Sequence, residues 1–331
     1  QLFGESDGRD TVKLQPIILL FCLPPLLFIN YVYGNVTGTF FSLWGIERLI
    51  AWKTTKKSVI FVQGAFCLAV AVLLKSFSLI FLIAGVIFLV LEGMRRNSWK
   101  PLALALGMCV LCAACNMALN TIYSCRAGRE LPQGAPKLLW IAMGMQENWE
   151  GHGAPGWYNM YNYSTYRETD FDVEKSTALA KETIRERAGE FAADPAMAVN
   201  FYGKKAVSQW AEPTYQGFLI SYDVLNPDKY SPRMQSIYYG SISELLMKWM
   251  NGYQSIIWVF AAGGLWACRK ERTPAELLPG LIILGGFLFS LLWEGKSQYV
   301  MPYFWLATLY AAKGLGEGIN WLEKKLCHRP G

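Results

Sequence analysis

The chain has 331 residues, of which 53% are hydrophobic, 15% aromatic and only 17% charged, with a mean hydropathy of +0.21. Soluble domains carry about 25% charged residues, so the composition excludes an ordinary soluble globular protein and points to membrane lipid as a partner. The net charge of +6 is dispersed in short clusters, which excludes a basic face for nucleic acid.

A transmembrane helix needs about 20 predominantly apolar residues. Residues 14–33 fit, with a kink expected at Pro24 and Pro25 and an aromatic end at Tyr31 and Tyr33. Arg9 and Lys13 before this run imitate a signal peptide, but the run is too long and lacks a small-residue cleavage site. Residues 37–52 form a shorter segment that carries Glu47 and Arg48. Residues 59–74 and 77–91 are parted only by Lys75 and Ser76, which predicts a tight helical hairpin, and residues 102–122 give a fifth span. After a long polar interval come residues 253–268, 274–293 and 299–315.

The expected fold is all-α: a polytopic membrane protein with about eight transmembrane helices and an extracytoplasmic helical domain. Residues 1–122 would hold about five spans and residues 123–252 the loop domain. Residues 253–331 would hold about three spans and a cytoplasmic tail. Lys53, Lys56 and Lys57 form one basic cluster, and Arg95, Arg96 and Lys100 a second. Arg269, Lys270 and Arg272 form a third, with Lys324, Lys325 and Arg329 at the tail. Alternating spans put all four on one side, and Lys and Arg favour the cytoplasmic side. The expected location is the cell (plasma) membrane, multi-pass, with the large loop outside.

Inside the loop, Val173, Thr177, Ala180, Ile184, Ala188 and Phe191 recur at helical spacing, one apolar face over residues 172–193. Asp194 and Pro195 read as the N-cap and first residue of a second helix. Its apolar positions are Ala198, Tyr202, Ala206 and Trp210, and it stops before Pro213. A third helix is expected over about residues 233–250.

The most unusual stretch, residues 146–166, interleaves Trp and Tyr with Gly, Asn and Glu. Aromatic faces beside amides and acids suit sugar rings; Trp and Tyr also gather at the headgroup level of any membrane protein. Glu147 and Glu150 are the two acids of its Gly-rich core. Lys75 at a hairpin tip is either an interfacial anchor that snorkels to the lipid surface or a phosphate ligand. The turn from Trp293 to Pro302 places Glu294, Lys296, Gln298 and Tyr299 ahead of the last span, more polarity than a short turn needs.

Cys109, Cys112 and Cys115 share a helical stripe, but in an apolar span without a nearby His they read as small packed side chains. His152 and His328 are far apart in sequence, so no metal site is expected. No phosphate-binding loop, serine-hydrolase elbow, zinc-protease or dinucleotide motif occurs. Asn35-Val-Thr37 and Asn162-Tyr-Ser164 match glycosylation triplets, which arise often by chance.

Several of these features together resemble the GT-C superfamily of membrane glycosyltransferases, in particular bacterial relatives of the protein O-mannosyltransferases and aminoarabinose transferases. The carrying residues are Glu294-Gly-Lys-Ser-Gln-Tyr299 with Pro302, similar to the family's acid, Arg-Tyr and Pro signature before a late span. Tyr31-Val-Tyr-Gly34 with Phe40-Phe41, the Lys75 hairpin, Trp140-Ile-Ala-Met-Gly144 and Gly156-Trp-Tyr-Asn159 look like the same architecture. So does Lys205 followed by Trp210-Ala-Glu-Pro-Thr214. Two departures stand out. Gln298 replaces the signature Arg, leaving Lys296 as substitute, and no stretch matches the family's catalytic carboxylate in the first outer loop. The segment bearing that general base is expected to lie before Gln1.

The resemblance implies transfer of a sugar from a polyprenyl-phosphate-linked donor to a glycan, lipid or protein acceptor; the lipid-linked sugar is the donor substrate, and no cofactor is assigned. Lys75, Lys296 and Tyr299 are the candidates for holding the donor phosphate and lipid. Glu147, Trp149, Glu150, Trp157, Tyr158 and Glu294 are the candidates for sugar or acceptor. Two other classes remain open. A polysaccharide polymerase or ligase would lean on loop arginines such as Arg167, Arg185 and Arg187, and a lipid-linked sugar flippase would need charged or broken helices at mid-membrane.

Overall fold

The computed structural model describes residues 8–28, 34–132, 134–148, 153–221, 226–269 and 273–327. These residues are helical almost throughout, and among them the sole β-type pairing is an isolated parallel bridge between Trp157 and Gly295. In chain order the helices are α1 (Gly8–Leu20), α2 (Pro24–Leu27), α3 (Gly34–Thr55), α4 (Ser58–Leu74), α5 (Leu79–Arg96) and α6 (Lys100–Ala127). Then come α7 (Leu138–Met143), α8 (Tyr161–Glu168), α9 (Val173–Ala193), α10 (Pro195–Trp210), α11 (Gly217–Ser221) and α12 (Pro232–Tyr239). The last three are α13 (Ser241–Ala267), α14 (Pro274–Leu292) and α15 (Met301–Cys327), and 3-10 turns lie at Ser76–Ser78, Pro227–Lys229 and Ser297–Tyr299.

Three helices among the described residues are long and apolar enough to cross a membrane: Ser76–Arg96, Lys100–Ala127 and Pro274–Leu292. That supports membrane association and falls short of the eight spans expected. Residues 59–74 form an apolar helix that is shorter. Residues 14–33 break where foreseen, because the chain leaves α1 at Leu20 and restarts at Pro24; Tyr31 and Tyr33 lie outside the described residues. Residues 37–52 lie in a helix with Glu47, Arg48 and Lys53. Residues 253–268 are the second half of α13, whose first half carries Glu244 and Lys248. Residues 301–315 open α15, which continues through Lys313 and Glu317 to Lys324 and Lys325. Charge and polarity make each of these less continuously apolar than the three long helices.

The chain divides into two compact units: residues 1–113, 216–285 and 301–331, and residues 114–215 with 286–300. In the first unit, α4 and α5 form the hairpin, turning at an extended Lys75 (φ −156°, ψ 129°). Leu49, Leu68, Phe81, Phe88 and Met108 are fully buried there. Small residues allow the closest helix contacts: a Cβ on Gly45 would stand 2.7 Å from Leu68 Cγ, and one on Gly314 2.7 Å from Gly264 N. In α14, Pro279 disrupts the helical ladder, and the Tyr310 hydroxyl bridges the gap by accepting from Gly280 N (3.0 Å) and donating to Glu276 O (2.9 Å).

In the second unit, Leu139 and Ala142 of α7 pack on Ala180 of α9, flanked by Tyr161, Tyr166 and Ile184. The Asp172 side chain caps α9 by accepting from Glu174 N and Lys175 N. Asp194 caps α10 by accepting from Met197 N, with Pro195 next, as the sequence predicts.

Candidate functional site

The geometry of interest lies wholly in the second unit, where the turn after α14 meets α10 and residues 154–158. It is held by Lys205. This side chain is fully buried, and its ammonium donates to three carbonyls: Gly144 O at 2.5 Å, Trp293 O at 2.7 Å and Leu291 O at 2.8 Å. The last carbonyls of a helix lack intrahelical partners and sit at the negative end of its dipole. No basic residue occupies the last turn of α14, so Lys205 of α10 supplies the cap from another helix. Gln209, one turn on, donates to Ser290 O at 3.1 Å, and Trp210 Nε1 to Ser290 Oγ at 3.0 Å.

Glycines make this approach possible. A Cβ on Gly156 (φ +73°) would lie 2.6 Å from both Lys205 Cδ and Gly144 O, and one on Gly144 2.6 Å from Trp293 O. Burial pushes the Lys205 ammonium down to about 7, against the pull of the Glu294 carboxylate. Its three carbonyl partners match the three N–H groups that only the ammonium carries.

The turn itself is fastened at each residue. Gly295 N donates to Gly156 O at 2.6 Å, Lys296 N to the Gln209 side chain at 3.3 Å, and Ser297 Oγ to Glu212 at 2.7 Å. Glu294 is 3% exposed and accepts from the Tyr299 hydroxyl at 2.9 Å. Lys296 Nζ stands 3.8 Å from Glu294 and 4.4 Å above the Tyr158 ring, with the Tyr299 ring at 5.9 Å. Trp157 lies against Gly295 and donates through Nε1 to Ser208 at 2.8 Å. Burial and the charge of Glu294 raise the Tyr158 phenol above its ordinary value, so it stays protonated. The result is a carboxylate floor beneath a partly open rim of one ammonium and two phenol rings.

Of the residues singled out in the sequence, the structure brings together Trp157, Tyr158, Glu294, Lys296 and Tyr299. Glu147 stands apart from that rim, exposed and 3.8 Å from Arg187. Lys75 belongs to the other unit. Trp149, Glu150, His152 and His328 lie outside the described residues. Arg187 is a structural clamp: it donates to Met145 O at 2.7 Å, pairs with Glu190, and its guanidinium lies 4.7 Å from the Phe191 ring. Arg167 and Arg185 are exposed. Asn35 is fully buried within α3, which denies the first glycosylation triplet access.

Lys205, Gln209 and Glu212 were absent from the sequence-derived site. Lys205 and Gln209, four residues apart, share one stripe of α10, and Glu212 lies just beyond its end; polar residues so spaced would equally mark an ordinary solvated face. No protein-family model matches the chain, and neither a curated protein nor a solved structure matches it.

Proposed function

We propose that this chain is a membrane glycosyltransferase component that takes a polyprenyl-phosphate-linked sugar on the outer face of the plasma membrane. In this reading it is a multi-pass protein whose weaker apolar helices also span. The observation that carries the reading is the convergence of Lys296, Glu294 and Tyr299 with Trp157 and Tyr158. A cation suits a lipid phosphate, where negative charge develops as the sugar leaves. Aromatic faces beside a carboxylate suit a sugar, whose C–H faces stack while its hydroxyls bond. Lys75 is a second candidate cation. The acceptor is a glycan, lipid or protein, and no residue of this chain is assigned as general base.

The test is binding of a polyprenyl phosphate to the protein in lipid nanodiscs. A charge-assisted hydrogen bond contributes roughly 1.5–3 kcal/mol, about 10- to 150-fold in affinity. Lys296→Gln is expected to weaken binding within that range at unchanged expression and melting temperature. An interfacial anchor would lose little, so affinity equal to the parent's would remove the donor-binding role.

A further inference from the structure

The connections between α3 and α4 and between α5 and α6 converge at one end of the first unit. Glu92, 2% exposed, accepts from Lys53 Nζ at 3.0 Å and Arg96 Nε at 2.9 Å, pinning the ends of α3 and α5 together. Lys53 and Arg96 pair with this carboxylate and Lys56 lies within reach of its charge, while Lys57, Arg95 and Lys100 follow at the same two connections. Lys56, Lys57, Arg95 and Lys100 are exposed, and among the described residues none of these four is ion-paired. Lys56 is held in place over the Trp52 ring, 4.8 Å from its centre. Partial burial first, then the charge of Arg96, lowers the Lys56 ammonium from its ordinary value; Glu92 opposes this and Lys53 adds to it. Among the described residues Glu92 is the one acid ion-paired with this group, and its pairs are with Lys53 and Arg96.

The place of the remaining cations in the chain points to what would neutralise them. The helical segments Ser76–Arg96 and Lys100–Ala127 are each long and apolar enough to cross a membrane, and Arg95, Arg96 and Lys100 border the junction between them. Such a junction leaves the hydrocarbon at headgroup level, where Trp99, 72% exposed, suits the interface. We propose that this end of the first unit binds the phosphate headgroup of an anionic phospholipid, gripped by Lys56, Lys57, Arg95 and Lys100 around the Lys53–Glu92–Arg96 core. The proposal rests on membrane association alone and stands or falls separately from sugar transfer.

The test titrates the full chain in neutral detergent with phosphatidylglycerol or phosphatidylcholine and counts retained lipid by native mass spectrometry. Phosphatidylglycerol is expected to bind at least about tenfold more tightly, and each neutralised cation to cost about fivefold. The combined Lys56→Gln, Lys57→Gln, Arg95→Gln and Lys100→Gln variant should lose the preference, while Lys181→Gln with Arg185→Gln keeps it. If the fourfold variant does not fold, Arg95→Gln and Lys100→Gln singly should each show the fivefold loss. Equal affinity for the two lipids, or a preference undiminished in these variants, would overturn the proposal. Displacement of the lipid by millimolar inorganic phosphate would overturn the assignment to lipid.

Discussion

Lys205 is the residue on which the candidate site depends. Its ammonium ties the end of α14 to the end of α7, and the turn bearing Glu294 and Lys296 begins where that tie is made. Lys205→Met would keep the length of the side chain and strand three buried carbonyls, each costing about 1–3 kcal/mol. Hydrogen exchange across residues 291–299 should accelerate markedly while exchange in α13 and α15 stays unchanged. The lysine also sets a pH dependence. Its folded value is near 7, whereas an unfolded lysine titrates near about 10.4. Between the two the unfolded chain holds the extra proton, so stability rises with pH through that window and is flat in this respect below about 7. Thermal melts of the parent and Lys205→Met from about pH 7 to 9 should show the rise only in the parent.

At the scale of elements, what the sequence disclosed was what local rules govern. The α4–α5 turn at Lys75, the extent of α9 and the Asp194-Pro195 start of α10 all follow from composition and spacing. The apolar face of α9 was legible at Ala180 and Phe191 but not throughout, since Ala188 is exposed and Arg187 takes the inner position by laying its guanidinium on Phe191. The single helix foreseen over about residues 233–250 is two, because Gly240 adopts an extended conformation (φ −111°, ψ −159°). α13 then runs unbroken into the apolar segment beyond it. Helix crossings were invisible in the sequence, because a glycine in an apolar helix does not announce its neighbour. Gly314 and Gly318 sit one turn apart in α15, yet only Gly314 meets the backbone of α13; a Cβ on Gly318 would find its nearest atom at 3.9 Å. Gly314→Ala should therefore destabilise by about 1–3 kcal/mol through overpacking. Gly318→Ala should stabilise by up to about 1 kcal/mol, the helix-propensity gain. Melting temperatures in one detergent would separate them, and equal shifts would contradict the crossing.

For the molecule as a whole, composition disclosed membrane association, and three helices carry it in the structure. The site was half legible. Glu294, Lys296 and Tyr299 are adjacent in sequence, so their density was conspicuous, and Trp157 and Tyr158 stood out by type. That these groups meet depends on Lys205, Gln209 and Glu212, more than 80 residues before the turn, and long-range pairing leaves no local mark. The central claim is that this rim receives a lipid-linked phosphate. The most direct measurement is photo-crosslinking with a polyprenyl phosphate carrying a diazirine beside the phosphate, with labelled peptides mapped by mass spectrometry. Labelling should fall on residues 154–160 and 293–299 and decline in Lys296→Gln. Labelling of other peptides alone, with none in residues 293–299, would contradict the account.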